Sequence, residues 1–142
     1  MYDRKLLEQW CQMEDWGEYV DKGGCLNKYG SKEGCDFLSK EYFAEVRRRI
    51  NYCKKLLKKH DNAFLNYTIA KLYDNYDVEE SSTYLYKQPV KYYCLKTLEL
   101  DPNFEPAKIL LQRVQEWIEI IGGDNNPDNF PNLDILFEEE NF

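Results

Sequence analysis

The chain has 142 residues, a formal net charge of −7, five cysteines and a single histidine. That length fits one domain able to bury roughly two-thirds of its unfolded surface, and no apolar run approaches the ~18 residues of a membrane span. The N-terminus lacks an apolar stretch followed by small residues, so no secretory signal is expected, and an odd cysteine count then fits reduced thiols in a cytoplasmic protein.

Residues 3–20 carry Leu6, Trp10, Met13 and Val20 near one side of a helix, with Leu7, Cys11 and Trp16 beside them; Gly17 weakens the last turn. Residues 21–35, with four glycines among Lys, Asn and Ser, read as a loop. Asp36 or Ser39 is a candidate cap for a second helix to about His60. Its Tyr42, Phe43, Val46, Ile50, Cys53 and Leu57 fall in one arc, and Arg47, Arg48, Lys54, Lys55 and Lys58 in the opposite one. Residues 40–60 hold eight basic side chains against two acidic ones.

After the corner His60-Asp61-Asn62, a third helix is expected from Ala63 to about Tyr76. Leu65, Ile69, Leu72 and Tyr76 form one apolar stripe and Ala63, Tyr67, Ala70 and Tyr73 another, the signature of a central helix. Residues 77–88 are polar and acidic and read as an insertion. A fourth helix, about 88–100, offers Val90, Tyr93, Cys94 and Thr97 as its inner side. Pro102 stops it, Asn103 is a candidate cap, and Pro106 suits a first turn, where a missing N–H is harmless. The fifth, 107–121, repeats Ala107, Leu110, Leu111, Val114, Trp117, Ile118 and Ile121 at helical spacing before Gly122-Gly123. The segment 122–142 has six acidic and no basic residues, with Leu133, Ile135, Leu136, Phe137 and Phe142 as apolar anchors.

Two stretches, Ile69 to Tyr73 (IAKLY) and Lys91 to Ala107 (KYYCLKTLELDPNFEPA), resemble the tetratricopeptide repeat family. The resemblance covers about residues 37–121. Thr97 stands for a usual alanine and Cys94 for a usual aromatic. The corners His60 and Pro102 are 42 positions apart, against a family period of about 34. The resemblance implies an all-α stack of about five antiparallel helices, a right-handed α-solenoid fragment over 1–121, followed by an acidic, partly irregular tail over 122–142. Such hairpins bury their apolar faces only by stacking, and a short array needs caps at its ends, for which the first helix and the tail are candidates. Some members hold a C-terminal carboxylate with Lys, Asn and Arg; Tyr67 and Lys71 stand at inward positions of the third helix, so that clamp is not carried over.

The residues themselves argue for binding rather than catalysis. His60 sits at a corner among lysines with no placed partner, and no glycine-rich phosphate loop has its strand–loop–helix context. Cys25 and Cys35 lack the close pairs of structural zinc, so neither metal nor cofactor is expected. Tyrosines are in excess, twelve in all, and Tyr combines large contact area with low entropy cost. A partner-binding groove is therefore expected around Tyr67, Lys71, Tyr73, Tyr84, Tyr86 and Lys108. The basic helix face reads as a solvated surface, as a dock for an acidic protein or the chain's own tail, or as a nucleic-acid contact, the last disfavoured by the acidic whole. The tail reads as a cap, a partner-binding peptide or irregular chain. The expected function is a non-enzymatic adaptor or regulatory subunit that binds another protein, alone or within a larger complex, away from membranes. A small acidic inhibitor, such as an immunity protein or antitoxin, is the rival, and nucleic-acid binding the weaker one.

Overall fold

A computed structural model describes residues 3–12, 32–75 and 80–120. Every regular element among them is helical: α1 (Arg4–Cys11), α2 (Lys32–Leu57), α3 (Ala63–Asp74), α4 (Glu80–Leu100) and α5 (Glu105–Ile120). The loop expected over 21–35 therefore ends by Lys32, and residues 21–31 lie outside the described part, as do Met13, Trp16, Cys25 and the whole tail with Leu133, Ile135, Leu136 and Phe137.

The third helix is central because it has almost nothing to expose. Leu65, Asn66, Thr68, Ile69, Ala70, Leu72 and Tyr73 are all buried, and α3 packs against α1, α2 and α4. Burying each large aliphatic among them stabilises the fold by about 1.5–3 kcal/mol. The two buried polar side chains are satisfied locally. The Asn66 amide donates to the Asp61 carboxylate and the Asn62 carbonyl, both at 2.9 Å, and the Thr68 hydroxyl donates to the Phe64 carbonyl at 2.9 Å. At the helix start, the Asn62 side chain accepts from the Leu65 N–H at 2.9 Å, a cap of the kind that contributes about 1 kcal/mol.

On the other side of the core, Val90, Tyr93 and Cys94 of α4 meet α3, while Ala107, Leu110, Val114 and Ile118 form the buried stripe of α5. Val46, Ile50, Cys53 and Leu56 supply α2's share, and Leu7 and Trp10 that of α1. Thr97 is fully buried, and its hydroxyl donates to the Tyr93 carbonyl at 2.8 Å. A buried hydroxyl with that partner carries no unpaired donor, which removes most of the cost of burying it.

Further boundaries differ from the sequence reading: α2 already runs from Lys32, so Asp36 and Ser39 lie inside it and not at its cap. α4 begins at Glu80 and continues through Pro89, so residues 80–88 of the expected insertion are the first half of a helix. Pro89 is buried; its missing N–H removes one internal hydrogen bond, a local loss that tertiary contacts on the rest of the helix offset. At the next corner, α4 ends at Leu100 as Pro102 requires, but Asn103 is not the cap. The Asn103 N–H donates to the Asp101 carboxylate at 3.1 Å, and the first helical carbonyl of α5 is that of Phe104, which accepts from Ala107 and Lys108.

Candidate functional site

One strip of α3 escapes burial beyond its first residue: Phe64, Tyr67, Lys71 and Asp74, all half-buried. Their spacing of three, four and three residues places them one above the other on a single helix face. The other faces are taken by α1, α2 and α4, so any molecule reading α3 must read it here.

Neighbouring elements flank this strip. The Arg4 guanidinium of α1 lies 3.6 Å from the centre of the Phe64 ring, and Cys11 places its Sγ 3.2 Å from the Thr68 hydroxyl oxygen. A hydroxyl has one proton, and the Phe64 carbonyl receives that of Thr68, so the Cys11 thiol donates here. From the α4–α5 corner, the Phe104 ring sits 5.1 Å from that of Tyr67. From α5, the Arg113 guanidinium donates to the Asp74 carboxylate at 2.7 Å.

The charges along the strip are mostly matched. Arg4 pairs with Glu8 at 3.3 Å, Lys108 with Glu105 at 3.2 Å, and Arg113 with Asp74. Lys71, between Tyr67 and Asp74, has no carboxylate within ion-pair distance among the described residues. Burial pushes the Tyr67 hydroxyl up to about 12, so it stays a protonated donor at neutral pH. Burial also raises the Cys11 thiol, and takes Cys53 and Cys94 up to about 12. These are neutral thiols and weak nucleophiles. Among the described residues, no three of His, Cys, Asp and Glu are grouped to hold a metal ion.

No family of proteins, no curated protein and no solved structure matches this chain. The residues themselves therefore carry all of the functional reading.

Of the residues expected to line a groove, Tyr67 and Lys71 lie on the exposed strip. Lys108 is exposed on α5 and held by Glu105. Tyr73 is elsewhere: only 1% exposed, it stacks on Tyr93 with ring centres 6.0 Å apart, and the Lys54 ammonium lies 5.4 Å from its ring centre. A side chain so placed belongs to the core. Tyr84 and Tyr86 are on the first half of α4, and their side chains lie outside the described part. Sequence reading missed Phe64, Asp74, Phe104 and Arg113. Lys71 was legible because it interrupts the two apolar stripes, but Tyr67 stood within one of those stripes, and Phe64 and Asp74 separate from Asn66 and Thr68 only once burial is known. Arg113 and Phe104 carried no signal, because only the tertiary fold brings them there.

On the basic face, Arg48 and Arg49 both bind Glu45, Arg49 at 3.1 Å. The Arg48 hydrogen bond, ahead of the Arg49 one, holds the Glu45 carboxyl below its ordinary value. Arg49 also faces the Trp10 ring at 5.3 Å, and Arg47 and Lys54 are half-buried. Lys55 and Lys58 are exposed. No helix among the described residues is long and apolar enough to cross a membrane.

Proposed function

We propose that this chain is a non-enzymatic interaction module of tetratricopeptide-like build, an adaptor or regulatory subunit that receives a segment of a partner protein along the α3 strip. The reading rests on one observation: beyond its first residue, α3 is buried everywhere except at Phe64, Tyr67, Lys71 and Asp74, which α1 and α5 flank. Aromatic rings at Phe64, Tyr67 and Phe104 supply contact area with few rotors to freeze. Lys71, half-buried and without a carboxylate of its own among the described residues, suits a partner that brings one. A half-buried pair of that kind contributes specificity and slows dissociation. The sharing of Glu45 by Arg48 and Arg49 lowers the charge offered to a polynucleotide and favours the protein partner over the nucleic-acid reading.

The test is capture from the host with the intact chain, the Lys71→Glu variant and a control, Lys96→Glu, exposed on α4. A protein retained by the intact chain and the control, yet lost from Lys71→Glu at unchanged melting temperature, supports the strip. Equal retention by all three rejects it. Recovery of an enzyme in inactive form, held independently of Lys71, favours the acidic-inhibitor reading instead.

A further inference from the structure

The solvent side of α2 carries a second surface that the α3 strip does not account for. Arg48, Tyr52, Lys55 and Lys59 follow each other at spacings of four, three and four residues, which aligns them on one face. All four are exposed, and Lys58 lies at their edge. Tyr52 is 37% exposed and fixed from below by an edge-to-face contact with Trp10, ring centres 5.4 Å apart. Among the described residues, Lys55, Lys58 and Lys59 have no carboxylate within ion-pair distance. The stripe is thus an exposed ring flanked by Arg48, which shares Glu45, and by the uncompensated Lys55, Lys58 and Lys59.

The same chain contains a sequence of opposite character. Residues 122–142 hold Asp124, Asp128, Asp134, Glu138, Glu139 and Glu140 and not one Lys or Arg, and Leu133, Ile135, Leu136 and Phe137 interrupt the acids. We infer that this C-terminal segment docks in cis on the α2 stripe, its apolar residues against Tyr52 and its carboxylates against Arg48, Lys55, Lys58 and Lys59. Acidic residues flanking apolar anchors suit a basic surface with one apolar centre.

Reach and concentration both permit it. Twelve residues separate Ile120 from Leu133, and the thirteen steps span up to about 45 Å when extended. A domain of this size is about 35 Å across, from a radius of gyration of about 14 Å. Tethering sets an effective concentration in the millimolar range, so even a weak intrinsic contact is occupied. The contact is charge-led, and its occupancy falls as salt shortens the Debye length from about 30 Å at 0.01 M to about 8 Å at 0.15 M.

The inference is independent of the proposed function, because it concerns α2 and not the α3 strip. It is tested by amide and side-chain NMR of the full chain beside a chain ending at Gly123, with a synthetic peptide of residues 124–142 added back in trans. The expected result is that truncation shifts the signals of Arg48, Tyr52, Lys55 and Lys59, and that the peptide restores them. The double variant Lys55→Glu with Lys59→Glu, both exposed and outside the core, should weaken the peptide about tenfold or more at low salt. Shifts confined to Tyr67 and Lys71 would place the tail on the α3 strip and overturn the inference. Shifts confined to α5, or none at all, would overturn it too. If the stripe binds a polynucleotide equally well in the full and truncated chains, the tail does not cover it, and a nucleic-acid partner takes its place.

Discussion

The Asp74 carboxylate of α3 accepts from the Arg113 guanidinium of α5 at 2.7 Å. The two lie 39 positions apart in sequence, so this pair fixes the last described helix to the central one at the end of the exposed strip. Asp74 is the better shielded partner, with 18% of its side chain exposed against 59% for Arg113. A double-mutant cycle with Asp74→Ala and Arg113→Ala should return a coupling of about 0.5–1 kcal/mol, at the upper end for surface pairs. Urea unfolding in 0.05 M and 0.5 M salt checks it. A coupling that does not shrink with salt would contradict a half-exposed ion pair.

Tyr73→Ala should be among the most damaging single changes in the chain. It removes a ring that is buried between α3 and Tyr93 of α4, at the most extensive helix–helix contact of the fold. The expected loss is about 3–5 kcal/mol, read from the urea midpoint. Tyr67→Ala, one turn and a half earlier but half-exposed, should cost well under half as much.

High pH should destabilise the protein through its buried acids. Cys53 and Cys94 ordinarily ionise near 9.0, and burial holds both at about 12 in the fold. Between those values the unfolded chain loses the protons while the folded one keeps them, so the unfolded state is the one favoured as pH rises. Below about pH 9 both states are protonated and the contribution is flat. Each thiol should add a slope of up to about 1.4 kcal/mol per pH unit above pH 9. Cys53→Ala should reduce the slope of urea stability between pH 9 and 11 by one thiol's share. Neither thiol should react with a bulky disulfide reagent at pH 8 until the chain unfolds.

Pro89→Ala restores an N–H in the middle of α4. The gain in helix propensity is about 3 kcal/mol, against a loss of about 1–2 kcal/mol for the buried ring carbons. A net stabilisation of about 1 kcal/mol is expected, with slower amide exchange over 80–88. Unchanged exchange there would mean that Pro89 does not limit this half of the helix.

The parts of the fold legible in the sequence are those where burial alone dictates the pattern. α5 was readable from Ala107, Leu110, Val114 and Ile118, and α3 from Leu65, Ile69, Ala70, Leu72 and Tyr73, because those residues answer only to the core. The start of α4 was not: Ser81, Ser82, Thr83 and Lys87 give no apolar period, and Pro89 fits the first turn of a helix that begins near 88. A helix that continues through proline is a tertiary outcome. The site was half legible for the same reason. Tyr67 and Lys71 are visible on α3 itself, whereas Tyr73 counts as an interface tyrosine in sequence and as a core ring in space. Arg113 and Phe104 join the strip only because the α4–α5 corner folds back upon it.

The contact between Cys11 of α1 and Thr68 of α3 joins residues 57 positions apart. On a ribosome adding about 5–20 residues per second, α1 exists for about 3–11 s before the residue that receives it has been made. During that interval Trp10 has, among the described residues, only Tyr52 and Arg49 of α2 as native ring contacts, and the face of α3 on which α1 packs is missing. α1 therefore completes its packing only after α3 has been made, and a nascent chain stalled before α3 leaves part of the apolar face of α1 without its native cover.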